Sequence, residues 1–466
     1  MSENVQKTLR DSAALRWLAL ILLAGAMFCS YIFMDILSPI KDLMWDTKGW
    51  DSTAFGTMQG SETFLNVFVF FLIFAGIILD KMGVRFTAIL SGAVMLVGAT
   101  INWYALTDMF AGSNLEVWFN EHLNYIPGFD ELGVSPFYKG MPASAKFSAI
   151  GFMIFGCGVE MAGITVSRGI VKWFKGREMA LARLGVATCM IFSPMFARLG
   201  GEVSVSRSVA FGVVLLMIAL IMFIVYAFMD KKLDSQTGEA EEKDDPFKLS
   251  DLGKILTDSG FWLVALLCVL YYSAIFPFQK YAVNMLQCNL VFHQVDPSSI
   301  WASNTITIIQ YVIMLVVAAC AFASNFSKNK VAKYGLMGVA IVALVVFCYM
   351  GYMRQSAETV FAVFPLLAVG ITPILGNYVD HKGKAATMLV LGSLLLIACH
   401  LTFAFVLPAF KGSEVGGIIV AYITILVLGA SFSLVPASLW PSVPKLVDEK
   451  IIGSAYALIF WIQNIG

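Results

Sequence analysis

The tract Gly76-Ile77-Ile78-Leu79-Asp80-Lys81-Met82-Gly83-Val84-Arg85 closes a long apolar segment. It returns, altered, as Gly376-Asn377-Tyr378-Val379-Asp380-His381-Lys382-Gly383-Lys384. One chain thus carries the same glycine–acid–glycine–base turn twice, each time between two hydrophobic runs. Two copies of a turn predict two copies of a helix bundle. A duplicated bundle of membrane helices is the usual build of a secondary transporter, with the substrate path between the halves.

The composition agrees with that reading. Of 466 residues, 59% are hydrophobic and 13% charged, with a mean hydropathy of +0.80. A soluble domain of this size needs more polar surface, so the chain reads as an all-α polytopic membrane protein. Acids and bases balance at 31 each. No basic stripe stands out, which excludes a nucleic-acid partner. Most of the eight cysteines lie singly inside apolar runs, as packing residues rather than a disulfide frame or a zinc site. Motifs for hydrolases, phosphate-binding loops and redox dithiols are absent from the sequence, so no enzyme activity and no cofactor are expected. Without a nucleotide site, transport has to run on a gradient of substrate or coupled ion.

A spanning helix needs about 20 apolar residues. Candidate spans fall at 17–39, 63–79, 86–107, 147–171, 181–200, 207–229, 260–283, 303–325, 333–353, 359–377, 385–408, 416–437 and 452–466. The first is too long, and lacks the small-residue site, for a cleavable signal. The last stops inside an apolar run, which reads as a fragment lacking the end of one helix and one further helix. Lysine and arginine concentrate in alternate loops, placing the N-terminus and both signature turns on the inner, cytoplasmic side. The predicted organisation is an N-terminal six-helix bundle over 1–229, a polar cytoplasmic linker over 230–258, and an incomplete C-terminal bundle over 259–466. The two turns lie farther apart than six helices and a linker require. An extra helical hairpin at about 303–353, with a basic inner turn of Lys328, Lys330 and Lys333, accounts for the excess and belongs at the bundle edge. The outer segment 108–146, rich in aromatic residues, reads as a partly ordered cap or a plain loop.

The signature turn has a mechanical reading. Gly76 and Gly376 let neighbouring helices approach. Gly83 and Gly383 permit the tight turn. Asp80 and Asp380, near helix C-termini, need a basic partner or another helix's N-terminus. With Arg85 and Lys384 they form a charge lock that can close in one conformation and break in another. The competing reading is a solvated membrane-edge turn; duplication at matching places favours the lock.

This turn resembles the signature of the major facilitator superfamily. Gly158-Val159-Glu160 followed by Lys172-Trp173-Phe174-Lys175-Gly176-Arg177-Glu178 is similar to the fourth helix and following loop of its lysosomal dipeptide transporter branch and bacterial relatives. Tyr271-Tyr272-Ser273-Ala274-Ile275-Phe276-Pro277-Phe278 resembles that branch's seventh helix. Ser438-Leu439-Trp440-Pro441 and Gly453-Ser454-Ala455-Tyr456, running on to Gly466, resemble its tenth and eleventh. The hairpin and the 108–146 segment depart from the animal pattern, and no acidic dileucine sorting signal is present.

Glu160 is a carboxylate mid-helix, which costs several kcal/mol unless it faces a cavity or a partner. It reads as a cavity residue that meets a substrate amine, against a structural pairing with a neighbouring helix. The resemblance points the same way, matching the family's substrate-contacting glutamate. Arg168, about two turns on, could border the same cavity. Arg183, in Ala182-Arg183-Leu184-Gly185, is similar to the family's fifth-helix arginine. It suits a carboxylate or, equally, anchors the inner surface; Arg198 is its rival. Asp35 fits both a cavity acid and an interfacial residue. Tyr271, Tyr272 and Trp440 could line a cavity or simply pack. Lys280 reads as a snorkelling lysine and His400 as hydrogen-bonded core.

The expected function is movement of a small polar solute by alternating access, with the resemblance implying short peptides. A proton-coupled carrier of a sugar or organic anion has the same architecture. A non-transporting scaffold or sensor is the alternative from another class. The expected partners are the lipid bilayer and a small-molecule or peptide substrate; the sequence names no protein partner. The expected location is a bacterial cytoplasmic membrane, with a lysosomal address the alternative that kinship with the animal branch implies.

Overall fold

The computed structural model describes residues 9–173, 184–237, 253, 255–382, 384–439, 442–443 and 452–466. About 83% of the described residues are helical, and nine of the described helices are long and apolar enough to cross a membrane.

In chain order the helices are α1 (Ala13–Met34), α2 (Lys41–Lys48), α3 (Ser52–Phe68), α4 (Phe71–Ala105), α5 (Asn114–His122), α6 (Ala143–Trp173), α7 (Leu184–Ala197) and α8 (Val205–Thr237). They continue as α9 (Ser259–Asn289), α10 (Asn304–Phe326), α11 (Lys330–Met353), α12 (Ala357–Lys382), α13 (Ala385–Leu401), α14 (Gly416–Leu439) and α15 (Ile452–Ile465). By their contacts α1, α3, α4, α6, α7 and α8 pack as one group, and α9, α12, α13, α14 and α15 as another. The groups meet where α7 packs on α12, where α3 and α4 pack on α15, and where the chain leaving α1 meets α9. The hairpin α10–α11 lies against α12 and, through α10, against α7.

The second span differs from its sequence reading. It begins at Ser52, not 63, because Asp51 caps the helix by accepting from the Ala54 N–H at 2.7 Å. The turns from Ser52 to Glu62 are too polar for a hydropathy window, yet Gln59, Ser61 and Glu62 are buried. The rod is also broken. Phe70 takes a left-handed conformation (φ 56, ψ 32), ending α3 and restarting the helix at Phe71. That conformation costs a non-glycine residue of order 1–3 kcal/mol, so its surroundings have to hold it. Trp461 on α15 does so: its ring stacks on Phe70 at 5.3 Å, and its indole N–H donates to the Val67 carbonyl at 2.9 Å, one of the acceptors the break sets free.

The first signature turn lies inside α4 at Gly83, with φ 79 and ψ 170, a region essentially reserved for glycine. Gly76 has no close-packing role, because a Cβ there would meet nothing within 4 Å. The close approach occurs elsewhere: a Cβ on Gly156 of α6 would strike the backbone carbonyl of Glu62. That contact sets α6 directly against α3.

The 108–142 segment is ordered. It contains α5, and Phe110 and Phe119 form a small core with Tyr104, Phe147 and Ile150. Buried Lys146 donates to the Phe119 carbonyl and to Asn124 Oδ1, each at 3.1 Å. Phe129 sits edge-on to Phe64 and Phe68 of α3, so the cap rests on the rod that carries Glu62.

Candidate functional site

Four helices of the first group and two of the second bring their buried polar side chains together at one place. Asp35 caps α1 and is fully buried. Opposite it, α9 contains Pro277, whose missing N–H breaks the regular ladder, and then presents Gln279 and Lys280. The Lys280 ammonium lies 2.9 Å from Asp35 Oδ1 and donates to the Met34 carbonyl at 2.7 Å. A cation at the free carbonyls of a helix C-terminus is favoured by the helix dipole. Glu62 of α3 extends to 4.0 Å from the same ammonium. Gln279 donates to Asp35 Oδ2 at 2.6 Å. The carbonyl of Asp35 accepts from the Cys189 thiol of α7 at 3.6 Å.

Glu160 of α6 lies within electrostatic reach of Glu62 and beside the amide of Asn464 on α15. Asn464 Nδ2 is buried and closes no hydrogen bond of good geometry. Nearby on α3, Asn66 donates to the Gly156 carbonyl at 3.3 Å, while its Oδ1 and the Oε1 of Gln59 have no partner. Buried polar atoms without partners in a protein are where water or a ligand is held. The cluster therefore contains three carboxylates, Asp35, Glu62 and Glu160, against one ammonium, Lys280. It spans the junction of the two groups, and its carboxyl groups outnumber its ammonium.

Beside the cluster the two groups are tied together. Asn284 donates to Asp42 Oδ1 at 2.7 Å, and Tyr281 donates to the Ser52 carbonyl at 2.8 Å. Phe55 lies edge-on to Tyr281 at 5.6 Å, and the Lys41 ammonium sits 5.8 Å from the centre of the Tyr281 ring. These contacts tie α9 to the chain between α1 and α3.

At the inner end the charges form a separate knot. Arg168 pairs with Asp80 at 2.9 Å, so it serves the signature turn and not the cavity expected from the sequence. Arg85 pairs with Asp234 of α8 at 3.2 Å. Lys172 bridges Asp234 at 2.8 Å and fully buried Asp230 at 2.9 Å, and the Trp173 indole donates to Asp230 at 3.0 Å. These partners all belong to the first group, so the pairs fasten the first signature turn to its own bundle.

The other expectations sort as follows. Asp35 and Glu160 join the cluster. Tyr271 and Tyr272 are buried as packing residues: Tyr271 lies 3.5 Å from the Ser431 hydroxyl, and Tyr272 stacks on Phe276. Lys280 turns inward and does not snorkel. His400 contacts the carbonyls of Leu396 and Ala274, each at 3.0 Å. Arg198 marks the outer end of α7 and is exposed. Arg183, Trp440 and Gly383 lie outside the described residues, as do the side chains of Gly376 and Asp380 in the last two turns of α12. Lys384, just before α13, is exposed. Sequence reasoning missed Glu62; the signal was an acid beside Gln59 in a polar stretch that immediately precedes an apolar run.

Comparison with known proteins fits this architecture. A sequence profile described as Major Facilitator Superfamily matches residues 23–357. The chain is 22% identical to the human lysosomal dipeptide transporter MFSD1 over 468 residues, covering 97% of this chain and 77% of that protein. It is 23% identical to the bovine protein of the same name over 333 residues, covering 68% of this chain and 56% of that protein. The crystal structure of the nucleoside transporter NupG superposes with a TM-score of 0.55 at 12% identity, covering 96% of this chain and 88% of that one.

Proposed function

The chain belongs to the major facilitator superfamily, and from that premise we propose that it is a secondary transporter for small solutes bearing a protonated amine, short peptides among them, working by alternating access. The observation that carries the proposal is the make-up of the central cluster: three carboxyl groups and one ammonium, buried or half-buried, where the two helix groups meet. Several kcal/mol oppose an uncompensated carboxylate at that depth. A substrate ammonium between Glu160 and Glu62 supplies the missing charge, and the substrate carboxylate faces Lys280. The name of the relatives, a dipeptide transporter, supports the same cargo. An organic anion fits a negatively charged cluster poorly. A scaffold without transport has no use for buried polar atoms left open at the bundle junction.

In this reading the 1–229 and 259–466 bundles rock about the cluster. The contacts of Asp35, Lys280, Asn284 and Tyr281 hold one end state, shut on the outer side. The bacterial cytoplasmic membrane read from the sequence stands against the word lysosomal in the relatives' name; locating the tagged chain in its own host decides between them.

The test is dipeptide uptake by liposomes containing the purified protein. Uptake that saturates and falls at least tenfold in Glu160→Gln is expected. Uptake equal to that of empty liposomes defeats the transport reading. Uptake unchanged in Glu160→Gln removes the carboxylate from it.

A further inference from the structure

The α10–α11 hairpin has two ends of opposite character. At the outer end Arg354 is satisfied internally, donating to Gln310 at 2.8 Å and to Thr307 at 2.7 Å. At the inner end Lys328, Lys330 and Lys333 form no ion pair or side-chain hydrogen bond with any described residue; Lys328 and Lys330 are exposed and Lys333 is half-buried. The sequence has no aspartate or glutamate from Pro297 to Ala357, so nothing on the hairpin neutralises them. Exposed Phe326 and Tyr334 flank the turn, as aromatic residues do where helix ends meet lipid headgroups.

Directly beneath these lysines an apolar crevice of about 150 Å³ opens between α10, α11 and α12. Ala321 and Ser324 line it from α10, Met337 and Ala340 from α11, and Leu367 and Gly370 from α12. Ser324 and Met337 each lie one helical turn from the basic turn. The Ser324 hydroxyl is turned back to the Ala321 carbonyl at 2.7 Å, which leaves the wall apolar.

We infer that this crevice and its basic turn form a binding site for one anionic phospholipid. The headgroup phosphate lies among Lys328, Lys330 and Lys333, and part of one acyl chain fills the crevice. The charge complementarity is that of an anionic leaflet facing a polybasic segment. The bound chain would fill the gap between the hairpin and α12, the helix that leads into the second signature turn and packs on α7 of the other group. The lipid would therefore brace that contact from outside.

The test is native mass spectrometry of the purified full chain, delipidated and titrated separately with phosphatidylglycerol and phosphatidylcholine of the same chain length. One tightly retained phosphatidylglycerol, preferred roughly tenfold over phosphatidylcholine, is expected. Replacing the three lysines by glutamine removes the preference, and replacing them by arginine keeps it. Filling the crevice with Ala340→Phe weakens retention of the full-length lipid while the lysines remain. Equal binding of both lipids, or a preference that survives the glutamine variant, overturns the site. Displacement of the lipid by inorganic phosphate at equal concentration also overturns it, because the site would then recognise a free anion.

Discussion

Replacing Lys280 by methionine tests whether its pair with Asp35 holds the outer mouth shut in the proposed cycle. The variant leaves Asp35 fully buried with only Gln279 as side-chain partner, and leaves Glu62 facing it. Removing one member of a buried pair costs about 3–5 kcal/mol, because the remaining charge is stranded. That cost falls on the closed state. Opening the mouth admits water to both carboxylates and removes the penalty. The closed-to-open ratio should therefore fall by roughly two to three and a half powers of ten. Spin labels on Cys288, exposed near the end of α9, and on Asp46→Cys, exposed on α2, report the width of the mouth once the other cysteines are replaced. Wild type should give one short distance, and Lys280→Met a predominantly longer one. Adding Asp35→Asn removes the stranded charge and should restore much of the short population. A Lys280→Met variant with the wild-type distance would refute the reasoning, as would a double variant as open as the single one.

Other changes probe the frame. Gly83→Ala forces an alanine into a glycine-only conformation and should cost about 1–3 kcal/mol, read as a lower melting temperature in detergent. Gly76→Ala, helical with open space around it, should melt no lower than wild type and gain up to about 1 kcal/mol. Trp461→Phe keeps a ring against Phe70 but orphans the Val67 carbonyl, a loss of about 1–3 kcal/mol. Hydrogen exchange should then accelerate across 64–74 and stay unchanged across 84–100. Lys146→Met removes the ammonium that holds Phe119 and Asn124, so the 108–142 cap should become cleavable by protease with little change in the membrane helices.

Much of the framework could be read from the chain. The repeated turn and the alternation of lysine and arginine predict bundles and orientation, because hydropathy and charge act on each segment separately. Asp35 and Glu160 stood out as acids in apolar runs. Glu62 did not, because the turns around it carry Gln59, Ser61 and Thr63 and read as a loop. Those residues are polar because they meet other helices, α6 through Ser61 and α9 through Glu62, a fact that only packing reveals. Arg168 and Lys280 were misassigned for a related reason. A sequence gives a basic residue's depth but not its direction, and here Asp80 and the carbonyl end of α1 determined it. Gly76 taught the same lesson in reverse, since a glycine's spacing does not say whether a neighbour is there to use it.

The left-handed residue at Phe70 gives the second rod a joint. Below it, residues 71–82 are anchored through Asp80 and Arg168 to α6. Above it, 52–68 carry Glu62 and support the cap. A stiff rod would drag its inner anchor whenever its outer arm swung. A jointed one gives each arm its own seat on α6, with the Trp461 indole clasped over the elbow between them.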